Sequence, residues 1–182
     1  GPDGGLRSVL VFLLAATCVQ SSFLGHEFGH LGCNRKRELS RRLGYLFMSL
    51  LTGYAQTHYL QNHKQHHAHP NDTARDPDIQ GAGVLSFYPA SVATKTGLAK
   101  RVTDWQAYLI WPLLSLQAFS LKIRGLKLVF GRLGSYPAEK TLLALHYVLW
   151  LGLPAVLLGP GDALLNYALI SLLVGLYLGC VV

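Results

Sequence analysis

Three long runs of apolar residues stand out along the chain. Residues 8–25 contain no charged side chain, and the segments 137–158 and 162–182 contain very few. As a helix, the first of these runs would reach about 27 Å, close to the ~30 Å hydrocarbon thickness of a bilayer. The pattern therefore predicts three membrane-spanning helices, at about residues 8–25, 137–158 and 162–182.

The second and third runs are joined by the short segment GPGD, which is typical of a turn. Pro137 suits the first turn of a helix, and Asp162 is an N-cap candidate for the helix after the turn. These signals predict a helical hairpin.

Two further apolar stretches, Leu43 to Leu60 and Trp105 to Leu121, are close to spanning length, but basic residues flank both ends of each. A crossing would place one of the basic clusters on the outer side. We therefore predict that both stretches form helices that lie on, or dip into, the cytoplasmic face of the membrane.

Composition and charge agree with a membrane protein. Hydrophobic residues make up 51% of the chain and charged residues only 14%. The net charge of +7 is concentrated, because 15 of the 16 Lys and Arg residues lie between residues 33 and 140. The positive-inside rule then places residues 26–136 in the cytoplasm, and the charge indicates membrane topology, so no nucleic-acid partner is predicted. The predicted fold class is an all-α integral membrane helical bundle with interfacial helices, in one partial domain of residues 1–182.

The ends of the chain also carry a prediction. The sequence begins at Gly1 and stops inside the last apolar run, so both ends are expected to be truncated. Since this topology puts Gly1 outside, a cytoplasmic N-terminus would require another spanning helix upstream.

Five of the eight histidines fall into two tight groups at the edges of apolar segments. The segment HEFGH contains His26 and His30, and the segment HKQHH contains His63, His66 and His67. Spacings of i, i+3 and i+4 put side chains on one helical face, and polar side chains in or beside a membrane usually mark function. The two groups predict a histidine-rich metal site that faces the cytoplasm.

The residues alone leave the kind of metal site open. HEFGH satisfies H-E-x-x-H, the zinc protease motif in which the glutamate is the general base. A catalytic zinc takes three protein ligands, so five histidines indicate more than one ion. Imidazole suits zinc, copper, nickel and iron alike, and a non-catalytic protein that stores or senses metal is a further alternative.

HEFGH and, after 32 intervening residues, HKQHHAHPNDTARDPDI resemble the first two histidine boxes, H-x-x-x-H and H-x-x-H-H, of the membrane fatty acid desaturases. The continuations HPN and DPDI, the segment QAYLIWPLLSL and the ending GLYLGC are similar to the acyl-lipid and front-end branch of that family. The resemblance covers most of the chain from about residue 20 onward.

This resemblance implies an oxidoreductase with two non-haem iron ions that uses O2 to place a cis double bond in a fatty acyl lipid or acyl-CoA. Electrons would come from a donor such as ferredoxin or a b-type cytochrome. The implied metal ligands are His26, His30, His63, His66 and His67. Glu27 would orient a ligand imidazole. Asp76 and Asp78 are candidates for the same role, with a loop turn built on Asp-Pro as the alternative. His146 is a possible channel or site residue, with a hydrogen bond to a neighbouring helix as its alternative. The family's third box, Q-x-x-H-H, is absent from residues 1–182, so this fragment alone is expected to be inactive.

Two rival functions are weighed against this one. Intramembrane zinc proteases of the site-2 type also carry H-E-x-G-H, but they add an aspartate ligand within L-D-G or N-P-D-G, and neither string occurs here. Hydroxylases and ketolases of the desaturase superfamily use similar boxes, so a related di-iron oxidation remains the nearer alternative.

Overall fold

The computed structural model describes residues 4–33, 35–80, 85–131 and 136–181, which form helices and loops with no β-strand among them. Within the described residues, two π-helical segments, Tyr45–Thr52 and Val148–Gly152, interrupt the α-helices. The α-helices are α1 (Gly4–Gly29), α2 (Arg37–Gly44), α3 (Gln56–Ala68), α4 (Pro89–Ala93), α5 (Gly97–Asp104), α6 (Gln106–Ser115), α7 (Gln117–Phe130), α8 (Pro137–Tyr147), α9 (Leu153–Leu158) and α10 (Pro160–Val181).

Three helical runs within these residues are long and apolar enough to cross a membrane: Gly4–Gly29, Pro137–Leu158 and Pro160–Val181. The second consists of α8, a π-helical turn and α9, so the helix continues past Tyr147 without a loop. The predictions about the two ends of the chain concern Gly1 and Val182, which lie outside the described residues. The predicted fold class, an all-α membrane helical bundle, is confirmed.

The apolar stretch 43–60 is not one helix. The end of α2 runs directly into the π-helix Tyr45–Thr52, which ends at Gly53 in the left-handed region with φ 73°. Glycine adopts this conformation at little cost because it has no Cβ. The chain then turns and starts α3 at Gln56, so a break in the middle of the stretch separates two helices.

The apolar stretch 105–121 is divided as well. Helix α6 ends at Ser115 and α7 begins at Gln117, and α6 contains Pro112 in its interior. Proline removes a backbone donor and crowds the preceding turn, which weakens a helix at this point. Neither this stretch nor 43–60 forms an unbroken helix of the predicted length.

Contacts between Cα atoms divide the chain into two compact units, one of Gly1–His58 with Leu114–Val182 and one of Tyr59–Leu113. In the first unit, α10 packs very closely against the backbone at Ser115, because a Cβ at Gly175 would collide with the Ser115 carbonyl. Small residues of this kind let helices in a membrane approach each other. Ala55, Val129 and Leu143 form a buried apolar cluster in the same unit.

An ion pair joins the first and last helices of this unit. Arg7 Nη1 lies 2.7 Å from Asp162 Oδ1, and Arg7 Nε donates to Asn166 Oδ1 at 2.9 Å. Because α10 begins at Pro160, Asp162 lies in its first turn and not at the predicted N-cap position. A carboxylate in a first turn still interacts favourably with the helix dipole.

Candidate metal centre

The first histidine group lies at the end of the first spanning helix. His26 is in the last turn of α1, and His30 follows the final helical residue, Gly29. The His30 N–H still donates to the His26 carbonyl at 3.1 Å, so the two side chains stay one turn apart. Their ring centroids are 4.5 Å apart, and Leu31 then leaves the helix with φ 60°. The pair of imidazoles is therefore presented side by side where the helix stops.

Packing against the π-helix Tyr45–Thr52 fixes this end of α1. Phe28 stacks on Phe47 with ring centroids 5.7 Å apart, and any Cβ at Gly25 would collide with the side chain of Met48. Glu27 accepts a hydrogen bond from His26, with its Oε1 3.0 Å from His26 Nδ1. The helix end and one of the two rings are thus both held by neighbouring side chains.

The second histidine group occupies the C-terminal half of α3. His63 and His67 are one turn apart, and their Nε2 atoms are separated by 3.0 Å. Two imidazole nitrogens bound to one ion, each at about 2.1 Å, would be about 3.0 Å apart at the right angle of an octahedral site and about 3.4 Å apart in a tetrahedral one. The spacing of this pair therefore fits two ligands of the same metal ion.

His66 is held by a carboxylate that lies beyond the helix. Its Nδ1 is 3.0 Å from each side-chain oxygen of Asp76, which is fully buried. Because an ionised carboxylate only accepts hydrogen bonds, Nδ1 carries the proton and Nε2 has the lone pair that can bind a metal. A carboxylate behind a metal-binding imidazole in this way fixes the ring's tautomer and orientation.

The loop after α3 is wound around Asp76. Its carboxylate also accepts the backbone N–H groups of Asn71 at 2.8 Å and Asp78 at 2.9 Å. Burial acts to raise the pKa of Asp76, but the hydrogen bonds from Asp78, His66 and Asn71 outweigh it and lower the pKa. Asp78 Oδ2 is 3.4 Å from His66 Nδ1 and half exposed, so it is the more distant of the two carboxylates.

The other histidines have different surroundings. His58, near the start of α3, is half-buried, and burial, with the charge of Arg124 added, lowers its pKa. The backbone N–H of His69 bonds to the carbonyls of Gln65 and His66 as the helix ends. His146 is buried in α8, where both ring nitrogens have protein partners: Nδ1 donates to the Leu50 carbonyl at 2.9 Å, and Nε2 accepts from the Tyr167 hydroxyl at 3.0 Å. These two contacts connect three helical segments and leave neither ring nitrogen for a metal ion, while the role of His146 as a channel residue stays a prediction.

The structure also shows buried polar residues that the sequence analysis does not single out. Lys122 Nζ donates to Tyr167 Oη at 2.9 Å and to Ser171 Oγ at 3.0 Å, and Glu139 is 1% exposed. The sequence does not distinguish these two residues from ordinary ones. Lys122 is one of several basic residues that flank an apolar stretch, and a glutamate such as Glu139 suits the first turn of any helix. Their burial depends on contacts between helices that are distant in sequence.

Taken together, the donor set within each group consists of imidazole nitrogens, with carboxylates placed behind His26 and His66. Imidazole is a ligand for iron, zinc, copper and nickel, and a carboxylate that holds the opposite ring nitrogen is the usual support for such a ligand. These features, on helices of spanning length and around them, are those of a membrane protein with histidine groups that could hold metal ions.

Comparison with known proteins identifies the family within this class of membrane proteins. The chain matches the profile of the fatty acid desaturase family over residues 6–182, so it belongs to that family. It is 28% identical over 121 residues to the Delta 8-(E)-sphingolipid desaturase of Lachancea kluyveri, covering 60% of this chain and 21% of that protein. It is 36% identical over 75 residues to the mouse Fatty acid desaturase 2-like protein FADS2B, covering 41% of this chain and 15% of that protein.

A second yeast protein, the Delta 8-(E)-sphingolipid desaturase of Kluyveromyces lactis, is 27% identical over 132 residues, covering 64% of this chain and 23% of that protein. The chain therefore spans about a fifth of the length of the sphingolipid desaturases it matches. No solved structure matches the chain significantly.

Proposed function

We propose that the protein is an iron-dependent lipid desaturase, which uses O2 to introduce a double bond into the acyl chain of a lipid or acyl-CoA. Family membership over residues 6–182 supports this class. The observation that carries the proposal is the arrangement in the second histidine group, where His63 and His67 face each other at 3.0 Å and Asp76 holds His66 from behind.

The proposed metal ligands are the five histidines of the two groups: His26, His30, His63, His66 and His67. They fit two iron ions better than one, because imidazole is a good iron ligand and five exceed the needs of a single open site. Bound iron would supply, together with O2, an oxidant strong enough for unactivated C–H bonds. The protein's own contribution is orientation: Glu27 and Asp76 keep the Nδ1 protons of His26 and His66 in place and leave Nε2 toward the metal.

The overall reaction needs an electron donor. Two hydrogens leave the chain, and O2 is reduced to two water molecules with two electrons and two protons supplied from outside. A ferredoxin or a b-type cytochrome would serve as the donor. We also propose that the histidine groups lie on the cytoplasmic side of the membrane. The excess of Lys and Arg between residues 33 and 140 supports this side.

The substrate has two candidates. A fatty acyl chain follows from the family, and a cis double bond is the product that the resemblance implies. The yeast relatives are named Delta 8-(E)-sphingolipid desaturases, which favours a sphingolipid and a trans double bond as the second candidate. A related hydroxylase would use the same metal site with a different outcome.

The test is expression of the complete gene in a host of defined lipid composition, followed by mass spectrometry of its fatty acids and sphingoid bases. We expect a new double bond that is absent from the His66→Ala variant. The position and geometry of the bond would distinguish the two substrate candidates.

Other products would change the proposal. A hydroxylated lipid would keep the metal site and replace desaturation. Glu27→Gln distinguishes the zinc protease: it would remove that enzyme's general base, whereas a desaturase would keep partial activity. Lipids unchanged by the wild-type protein, together with bound zinc, would overturn the desaturase assignment.

A further inference from the structure

One face of α8 buries two polar side chains deep in the helical bundle. Glu139, Leu143 and His146 are spaced i, i+4 and i+7, and each is at most 1% exposed. Residues with this spacing lie on the same side of a helix. A carboxylate and an imidazole are costly to bury in a membrane protein unless they have partners, so their contacts indicate what this face does.

Glu139 lies against the start of α3. Its Oε1 accepts a hydrogen bond from Ser49 Oγ at 3.0 Å and another from the backbone N–H of Thr57 at 3.1 Å. Thr57 is the second residue of α3, and the first four N–H groups of a helix have no partner within the helix. The Glu139 carboxylate therefore caps α3 from a different helix, in the position that favours a negative charge.

His146 holds the segment that precedes α3. Its Nδ1 donates to the carbonyl of Leu50, and its ring fills the space where a Cβ of Gly53 would lie. Together with Glu139, it contacts the chain on both sides of the break between the π-helix and α3. The face of α8 thus fixes the residues from which α3 departs.

The cap bears on the second histidine group because α3 continues to it without a break. His63 is about 9 Å along the helix from Thr57, and His67 about 15 Å. Loss of a cap lowers the stability of a helix. Without the cap, the helix that carries these histidines would therefore open more readily from its first turn.

We propose that Glu139 is a positioning residue for the metal site: by capping α3 it stabilises the helix on which His63, His66 and His67 are held. The inference rests on the proposed function of these histidines as iron ligands. Glu139 lies in the first turn of α8, and α8 contains no residue of either histidine group. The inference therefore gives this helix a role in the metal site.

The two oxygens of Glu139 suggest how to test the cap. Within the described residues, Oε2 is buried without a hydrogen-bond partner, so only Oε1 does the capping. Glu139→Gln keeps an acceptor oxygen at Oε1. Glu139→Met has a similar length and volume, and its thioether sulfur is only a weak acceptor. These two variants separate the hydrogen bond from the packing.

The experiment uses the complete protein and measures iron per folded protein and hydrogen exchange at the start of α3. We expect Glu139→Met to lower iron affinity about tenfold, the loss typical of residues behind metal ligands, and to speed exchange in the peptide that contains Thr57. Glu139→Gln should resemble the wild type in both. Leu143→Ala, on the same face, is the matched control: it should lower thermal stability and leave iron per folded protein unchanged.

Three results would overturn the inference: normal iron content with unchanged exchange in Glu139→Met, failure of Glu139→Gln to rescue, or equal iron loss in Leu143→Ala. If Glu139→Met does not fold, hydrogen exchange of the Thr57 N–H is measured in the wild-type protein. Slow exchange supports the cap, and exchange at the solvent rate overturns it. These readouts need no turnover. A protein without desaturase activity but with Glu139-dependent iron binding would keep this inference and lose the proposed function.

Discussion

Two histidines, His66 in α3 and His146 in α8, show how the same side chain serves different ends in two regions of this molecule. His66 is about one third exposed, at 34%, and its Nδ1 faces the buried carboxylate of Asp76. His146 is 1% exposed and uses one ring nitrogen for the Leu50 carbonyl and the other for the Tyr167 hydroxyl. The first arrangement leaves a lone pair for a metal, and the second leaves none.

The difference teaches that hydrogen-bond partners, more than burial or position, decide what a histidine in a membrane protein can do. A carboxylate on Nδ1 orients the ring for a ligand at Nε2. A carbonyl on Nδ1 with a hydroxyl on Nε2 joins three helical segments instead. We therefore expect variants of the second histidine group to lose function while the protein stays folded, and variants around His146 to lose stability.

The largest effect is expected for His67→Ala. Removing one ligand from a crowded site should lower product formation more than about 100-fold, since losing even a residue behind a ligand costs 10–100-fold. His69→Ala, two residues further on, is the matched control and should stay close to wild type. Product is measured by mass spectrometry of lipids, and folded protein by size-exclusion chromatography. Equal losses in both variants would contradict the assignment of His67.

Asp76→Asn is expected to have the next largest effect. Both oxygens of Asp76 lie 3.0 Å from His66 Nδ1, and each also accepts a backbone N–H group. Asparagine keeps the size of the side chain but has only one acceptor oxygen, so its NH2 group would face these donors and weaken the hold on His66. Iron affinity should fall about 10-fold to 100-fold, as measured by metal analysis after dialysis against a chelator. Asp78→Asn, which alters the more distant carboxylate, should have a smaller effect. A larger loss in Asp78→Asn would mean that the order of the two carboxylates is wrong.

Much of this comparison could be predicted from the sequence, because it depends on local spacing. The fold class is visible in the three apolar runs, and the two histidine groups in their i, i+3 and i+4 spacing. Asp76 could be proposed only as a candidate, since its contact with His66 depends on the loop of residues 69–75 that follows α3, with Asn71 at φ 62°. Non-glycine residues are uncommon in that region of φ, although asparagine tolerates it.

The bundle around His146 could not be predicted in the same way. An apolar window gives no sign that Gly53 breaks the stretch 43–60 or that Leu116 separates α6 from α7. Glu139, Lys122 and Tyr167 acquire their partners from helices up to 90 residues away in the chain. Such pairings follow from tertiary packing, which hydrophobic periodicity does not encode.

Tyr167→Phe tests the bundle side of the comparison. The hydroxyl accepts from Lys122 and donates to His146, so its removal leaves two buried polar groups each short of a partner. We expect a loss of about 2–3 kcal/mol in the free energy of unfolding, with iron per folded protein close to wild type. Tyr177→Phe in the same helix is the control, because Tyr177 is exposed, and it should change stability by less than about 0.5 kcal/mol. Loss of iron without loss of stability in Tyr167→Phe would indicate instead that His146 belongs to the metal site.

The smallest effect is expected at the ion pair between α1 and α10. Arg7 contacts both Asp162 and Asn166, but its side chain is 33% exposed and that of Asp162 is 51% exposed. Exposed ion pairs contribute about 0–1 kcal/mol, because solvent screens the attraction and both side chains lose freedom. Asp162→Asn should therefore lower the free energy of unfolding by less than about 1 kcal/mol, and added salt should reduce the difference from wild type. A loss of unfolding free energy as large as that of Tyr167→Phe would mean that a half-exposed polar contact stabilises the bundle as much as a buried one. Burial would then not explain the stability of the region around His146.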